Sequence, residues 1–319
     1  MIFPLLQDPL TPPYIRYNHP IFIRGERPAM RLKSDLLLLL AAVIWGSTFV
    51  AQRLAAGHIG PFLFNGLRFL LGSLALLPFV LRARQPFPRP ALPWMLLAGL
   101  LLVGGSSLQQ AGIRTTSTAN ASFITGLYVV IIPLSLALLF KESITRLVWA
   151  AVGCSTLGGF LLSAGALSPF SIGDLLELLG AIFWAAHVIL VGRKARQVDP
   201  IVFALGQFVV CGVLNLILGL IIEPETLAGL AGSWGAVLYG GILSVGIAYT
   251  LQVVGQRHAP PTDAALILSL ETVTAAIFGY LILGETLTPL QMVGSALILA
   301  AVVLVQIPAR RAPTPTPAG

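Results

Sequence analysis

Three ionisable side chains stand where a chain of this composition least tolerates them. Glu271 lies in the apolar run Ala264–Leu283, His187 in Leu175–Val191 and Arg68 in Pro61–Leu81. A charge in hydrocarbon costs roughly 2.5–3.5 kcal/mol on insertion scales, so each must be paired, neutralised or used. A carboxyl that meets water alternately from two sides can load a proton on one and release it on the other. It can equally hold a substrate ammonium. A guanidinium can bind an anionic substrate group, pair with an internal acid, or reach outward to the interface. An imidazole can share in proton traffic or pack as a neutral core group. By helix rise, Glu271 sits about 10 Å inside its run and His187 is roughly level with it, so His187 is the expected partner of Glu271. Glu271 shares a helix face with Ala275 and Gly279, and His187 one with Glu177, Gly180 and Trp184. Arg68 shares a face with Asn65 and Gly72.

Trp45 and Tyr128 fall about 14 Å from the start of their runs, near mid-membrane, whereas aromatics favour the interfaces. They are candidate cavity walls or, alternatively, packing partners of Gly46 and Gly126. Asn120, with Gln109, Gln110 and Gln207, adds polar groups better suited to water than to lipid. An enzyme would need a nucleophile with its base, a carboxylate pair or a metal cluster. The four His (His19, His58, His187, His258) are scattered, there is no HExxH, and Gly104-Gly105 and Gly240-Gly241 lie inside apolar runs unlike phosphate loops. Cys154 and Cys211 also lie in apolar runs, so neither a disulfide nor a metal set is expected. No cofactor is expected. A transporter is favoured; the alternative is an intramembrane enzyme acting on a lipid or peptide, with a channel as a third reading.

The elements that must position these groups follow from composition. Charged residues are 10% of the chain and mean hydropathy is +0.91, far from the soluble norm of about 25% charged. The apolar runs are Leu36–Val50, Pro61–Leu81, Ala91–Gly112, Ala119–Phe140, Leu147–Gly165, Leu175–Val191, Ile201–Ile222, Trp234–Val254, Ala264–Leu283 and Leu290–Ile307. Most suffice to cross about 30 Å of hydrocarbon as a helix, and the period-2 alternation of a barrel is absent. Of 19 Lys and Arg, 16 fall on one side of such a topology, which places both termini in the cytoplasm of a multi-pass cell-membrane protein. Topology accounts for the net charge of +7, and no nucleic acid is an expected partner.

The chain also repeats itself. At an offset of 139, Ser34–Arg53 lies over Gly173–Gly192, matching Asp35 to Asp174 and Trp45 to Trp184. At an offset of 143, Ala121–Leu147 lies over Ala264–Leu290, matching Glu142-x-x-Thr145 to Glu285-x-x-Thr288. The fold class expected is an all-α polytopic membrane protein, ten transmembrane helices arranged as two five-helix repeats. Five is odd, so the repeats are inverted, and such repeats flank a site near mid-membrane. The expected organisation is an N-terminal cytoplasmic extension over 1–34, a first repeat over 35–166, a second over 173–307 and a disordered tail over 308–319. Met30, directly before Arg31-Leu32-Lys33, is an alternative translation start.

The segments AAVIWGSTFVAQR (41–53), FNGLRFLLG (64–72), TTSTANASFITGLYVVIIPLSLALLFKE (115–142), GDLLELLGAIFWAAHVILVGR (173–193) and ALILSLETVTAAIFGYLILGETLT (265–288) carry a likeness. In them the chain resembles the EamA type of the drug/metabolite transporter superfamily, from about Asp35 to Ile307. The resemblance implies a central cavity worked by alternating access, often for export of amino acids or other metabolites. The expected partners are therefore a small-molecule substrate, the lipid bilayer and a proton as coupling ion. Where the family usually has Glu-Pro, this chain has Glu271-Thr272 and lacks the proline that would break its ninth helix.

Overall fold

A computed structural model describes residues 28–83, 89–116, 118–163, 171–284 and 286–306. Glu285, residues 1–27 of the expected extension and the 308–319 tail lie outside the described residues. Ten helices are long and apolar enough to cross a membrane: α1 Met30–Ala55, α2 Pro61–Ala83, α3 Arg89–Gly112, α4 Asn120–Leu139, α5 Arg146–Ser163, α6 Ile172–Lys194, α7 Pro200–Ile222, α8 Pro224–Gly255, α9 Pro261–Leu283 and α10 Pro289–Gln306. Among the described residues there is no strand. That is the expected response of a backbone with no water to bond to, since helices satisfy every internal N–H and C=O. Their outward faces are apolar, with Leu138 69% and Ile221 72% exposed to where lipid belongs.

The most extensive helix contacts are α5 with α10, α2 with α7, α1 with α9, α1 with α8 and α3 with α6. Lipid tails are as apolar as leucine, so these contacts rest on close packing over small residues. A Cβ on Gly158 would stand 2.6 Å from the Gly294 carbonyl oxygen, and one on Gly294 would stand 2.5 Å from that of Gly158. Spacing alone suggests Ala150, Cys154 and Gly158 as the contact face of α5. Only Gly158 among them is buried, and Ala150 is exposed. The buried face is Ala151, Ser155, Gly158 and Leu162, because the approach to Gly294 fixes the helix about one position further round. Between α1 and α9 the crossing is similarly close: a Cβ on Gly46 would meet Thr274 Oγ1 at 1.8 Å and the Ala275 backbone nitrogen at 2.7 Å. Backbone cannot step aside as a flexible side chain can, so Gly46→Ala is expected to destabilise the fold by about 1–3 kcal/mol. Gly153, with nothing within 4 Å of its added Cβ, should accept Ala without loss. Thermal unfolding of both variants in detergent checks this.

Two crossings are interrupted. The α4 helix breaks at Leu127 and α9 at Ser269. Backbone bonds there tighten from four residues to three, Val130 N–H to Leu127 O and Thr272 N–H to Ser269 O. The missing proline in α9 is thus not required. The Ser269 hydroxyl donates to the Leu266 carbonyl at 2.7 Å and meets Ser155 Oγ of α5 at 3.1 Å, and a hydroxyl turned onto its own helix is a known source of bending. In α8, residues Gly240–Tyr249 take the wide π-helical form, which re-aims Ser244 and Tyr249 relative to a regular helix.

Charge pairs tie helix ends. Arg31 of α1 binds Asp263 of α9 at 2.6 Å and Asp35 at 3.1 Å. Arg193 of α6 binds Glu142, beyond the end of α4, at 2.5 Å. Burial raises the Glu142 carboxyl above its ordinary range and Arg193 pulls it back. Asp174, the repeat counterpart of Asp35, instead caps α6 with Ser171 and accepts the Thr116 hydroxyl at 2.5 Å.

Candidate functional site

The breaks in α4 and α9 bring Tyr128 and Glu271 together. The Tyr128 hydroxyl donates to Glu271 Oε1 at 3.0 Å, both side chains are buried, and both line a central cavity of about 40 Å³. Glu271 turns away from lipid on the face it shares with buried Ala275 and Gly279, as the sequence implies. Trp45 also lines the cavity, its indole N–H directed to the Ser244 carbonyl at 3.4 Å.

His187 reaches the cavity but is not the partner of Glu271. Its Nε2 lies 2.8 Å from Gln207 Oε1 of α7, while Glu271 takes its bond from Tyr128. Equal depth put both groups on one wall without putting them in contact, because α7 supplies a closer amide. Arg68 does not reach outward. It is 2% exposed, its Nε donates to Asn65 Oδ1 at 2.8 Å, and its guanidinium carbon lies 5.4 Å and 5.0 Å from the Phe64 and Phe69 ring centres. Gly240 of α8 gives it room, since a Cβ there would stand 3.3 Å from Arg68 Cδ. Among the described residues Arg68 makes no ion pair, and it lines the cavity. Asn120 is buried in α4 but is not one of the lining residues.

Sequence reasoning passed over Tyr249 and Gln252. Tyr249 is the hub of an aromatic cluster: Trp45 lies 4.6 Å from it, Trp184 6.1 Å, Phe69 5.8 Å and Phe208 5.9 Å between ring centres. Nothing in the local sequence marks it, because the wide turns of α8 decide where it points. Gln252 did have a signal: it is the counterpart of Gln109 at the 143 offset, and both line the cavity. The same holds more widely. Trp45 and Trp184, Thr48 and His187, and Phe49 and Val188 are lining residues 139 apart; Thr125 and Leu268, and Tyr128 and Glu271, are lining residues 143 apart. Glu271 and Tyr128 are therefore counterparts that touch.

An acid, a buried cation and an aromatic wall around one mid-bundle cavity fit carriage across a membrane. A family model described as the EamA-like transporter family matches residues 32–164 and again 171–307. The chain belongs to the EamA-like transporter family. An uncharacterised transporter of Archaeoglobus fulgidus is 32% identical over 89% of this chain and 89% of its own. The Escherichia coli threonine/homoserine exporter RhtA is 28% identical over 83% of this chain and 88% of its own. A solved crystal structure superposes with a TM-score of 0.70 at 21% identity, over 85% of this chain and 95% of that one, which speaks to the fold. This EamA-like chain is thus a multi-pass membrane transporter and not an enzyme, with a small-molecule substrate and lipid as its partners.

Proposed function

We propose that the chain exports an α-amino acid or a closely related zwitterion in exchange for protons, by alternating access. The observation that carries this is an acid and a guanidinium lining the same cavity, Glu271 and Arg68, neither ion-paired among the described residues. A buried charge left without a counter-charge is costly, and a bound zwitterion supplies both counter-charges at once: its ammonium to Glu271, its carboxylate to the Arg68 fork. Trp45, Trp184 and Tyr249 offer faces to the ammonium and to an apolar side chain. One carboxyl holds either a proton or an ammonium. A proton arriving from outside therefore displaces substrate outward, and its loss inside reopens the site. That RhtA is a threonine/homoserine exporter supports this direction and class.

The two family matches and the paired lining residues support a duplication bounded by 35–166 and 173–307, with the second unit inverted. The 16 basic residues on one side support cytoplasmic termini; a C-terminal reporter should be active only in the cytoplasm, and activity outside would reverse the orientation. In proteoliposomes, counterflow of amino acids should exceed that of matched amines or carboxylic acids at least about tenfold, a difference of about 1.4 kcal/mol. It should also respond to a pH gradient. Equal transport of the single-charged analogues would refute the zwitterion reading.

A further inference from the structure

Glu177 is a further buried acid, about 8 Å in from the start of α6, and the exchange just described makes no use of it. It sits on α6 and is 0% exposed. Its Oε2 accepts the Thr125 hydroxyl at 2.9 Å, and its Oε1 has no hydrogen-bond partner among the described residues. That oxygen rests on Gly112 of α3, where an added Cβ would stand 3.0 Å from it. Thr125 lies on the cavity wall. Its oxygen also accepts Gln109 Nε2 at 3.1 Å, and Gln109 Oε1 in turn takes the Gln52 amide at 3.2 Å. The Thr125 hydroxyl thus links this carboxyl to the cavity wall, held by the Gln109 amide, which Gln52 holds in turn.

The titratable groups facing Glu177 are Asp174 on its own helix and Glu271 from α9. Helix α3 presents Gly112 and α4 presents Thr125, so neither brings a cation. Among the described residues Glu177 makes no ion pair, whereas the Thr125 hydroxyl gives a proton a way in and out. Apart from Gln109, matched by Gln252, the counterparts of this group are apolar. Glu177 corresponds to Leu38 and Gln52 to Val191 at the 139 offset, and Thr125 to Leu268 at 143, so the arrangement exists in one half of the molecule alone.

We propose that Glu177 is a second proton-carrying carboxyl, exchanging with the cavity through Thr125. A proton delivered to a free lone pair of Thr125 Oγ1 is balanced by the hydroxyl's own proton passing to Glu177 Oε2, and the reverse step empties the site. The proposal rests on the reading of the cavity as proton-coupled, and it adds one proton to each cycle beyond that on Glu271.

Infrared difference spectra of the lipid-reconstituted protein, taken without substrate between pH 5 and 9, test it. The protonated-carboxyl stretch should lose a component in Glu177→Gln. In Thr125→Val that component should persist but respond at least tenfold more slowly to a pH jump, with Thr125→Ser restoring the rate. An unchanged carboxyl response in Glu177→Gln, or a wild-type rate in Thr125→Val, overturns the proposal. Should Glu177→Gln not fold, the Thr125 pair decides alone. No substrate is present in this measurement, so failure of the amino-acid panel with normal spectra counts against the substrate reading only.

Discussion

Glu271→Gln is expected to abolish pH-driven accumulation of substrate while leaving the protein folded. The amide oxygen still accepts the Tyr128 hydroxyl, so the bond at 3.0 Å and the packing of Ala275 and Gly279 survive. What is lost is the negative charge and the titration. Removing one partner of a desolvated charge pair costs about 2–5 kcal/mol. That is about thirtyfold to a few thousandfold in affinity for an ammonium-bearing substrate. Uptake by Glu271→Gln proteoliposomes should be weak and the same at every pH. A folded variant that transports normally across the pH range would remove Glu271 from the mechanism altogether.

Arg68→Gln should separate stability from activity. The wild-type guanidinium is buried and held by Asn65 and two aromatic faces, without an ion pair among the described residues. Replacing it with a neutral amide relieves a buried charge while leaving a donor for Asn65 Oδ1, so the variant should melt no lower than wild type. Amino-acid counterflow should fall at least about a hundredfold, roughly 2.7 kcal/mol of lost carboxylate binding. Amines lacking the carboxylate should lose little. A variant that melts well below wild type would show Arg68 to be structural, and one that transports amino acids normally would show the carboxylate to bind elsewhere.

How far the sequence reached depended on the kind of force at work. The ten crossings were legible because hydropathy and helix length are averages over about twenty residues, insensitive to any one neighbour. The lipid-averse face of Glu271 was legible for the same local reason, as helix periodicity alone places Ala275 and Gly279 beside it. Partnerships were not. His187 and Glu271 were matched by depth, yet a contact needs azimuth and a neighbour, and Gln207 and Tyr128 were nearer. The face of α5 was misjudged by about one position, because the mutual approach of Gly158 and Gly294 sets its rotation rather than residue size along α5. The break at Ser269 could not be read as a proline effect, since a hydroxyl returning to Leu266 makes it. Tyr249 was hidden because the wide turns beginning at Gly240 move it off the position a regular helix would give.

The contact between Tyr128 and Glu271 bears on how such a molecule could diverge. In the proposed duplication these are the same position in each copy, and a residue touches its own copy only where the relating axis passes. Two identical halves would set two acids, or two phenols, head to head at hydrogen-bond distance. Paired acids there would repel and share one proton, and paired phenols would carry no charge. A single acid met by a hydroxyl is the arrangement that keeps one well-defined proton acceptor at the centre. The central position is therefore where an ancestral twin could not stay a twin: the chemistry of a lone acid required the copies to differ there, while Trp45 and Trp184, off the axis, were free to remain alike.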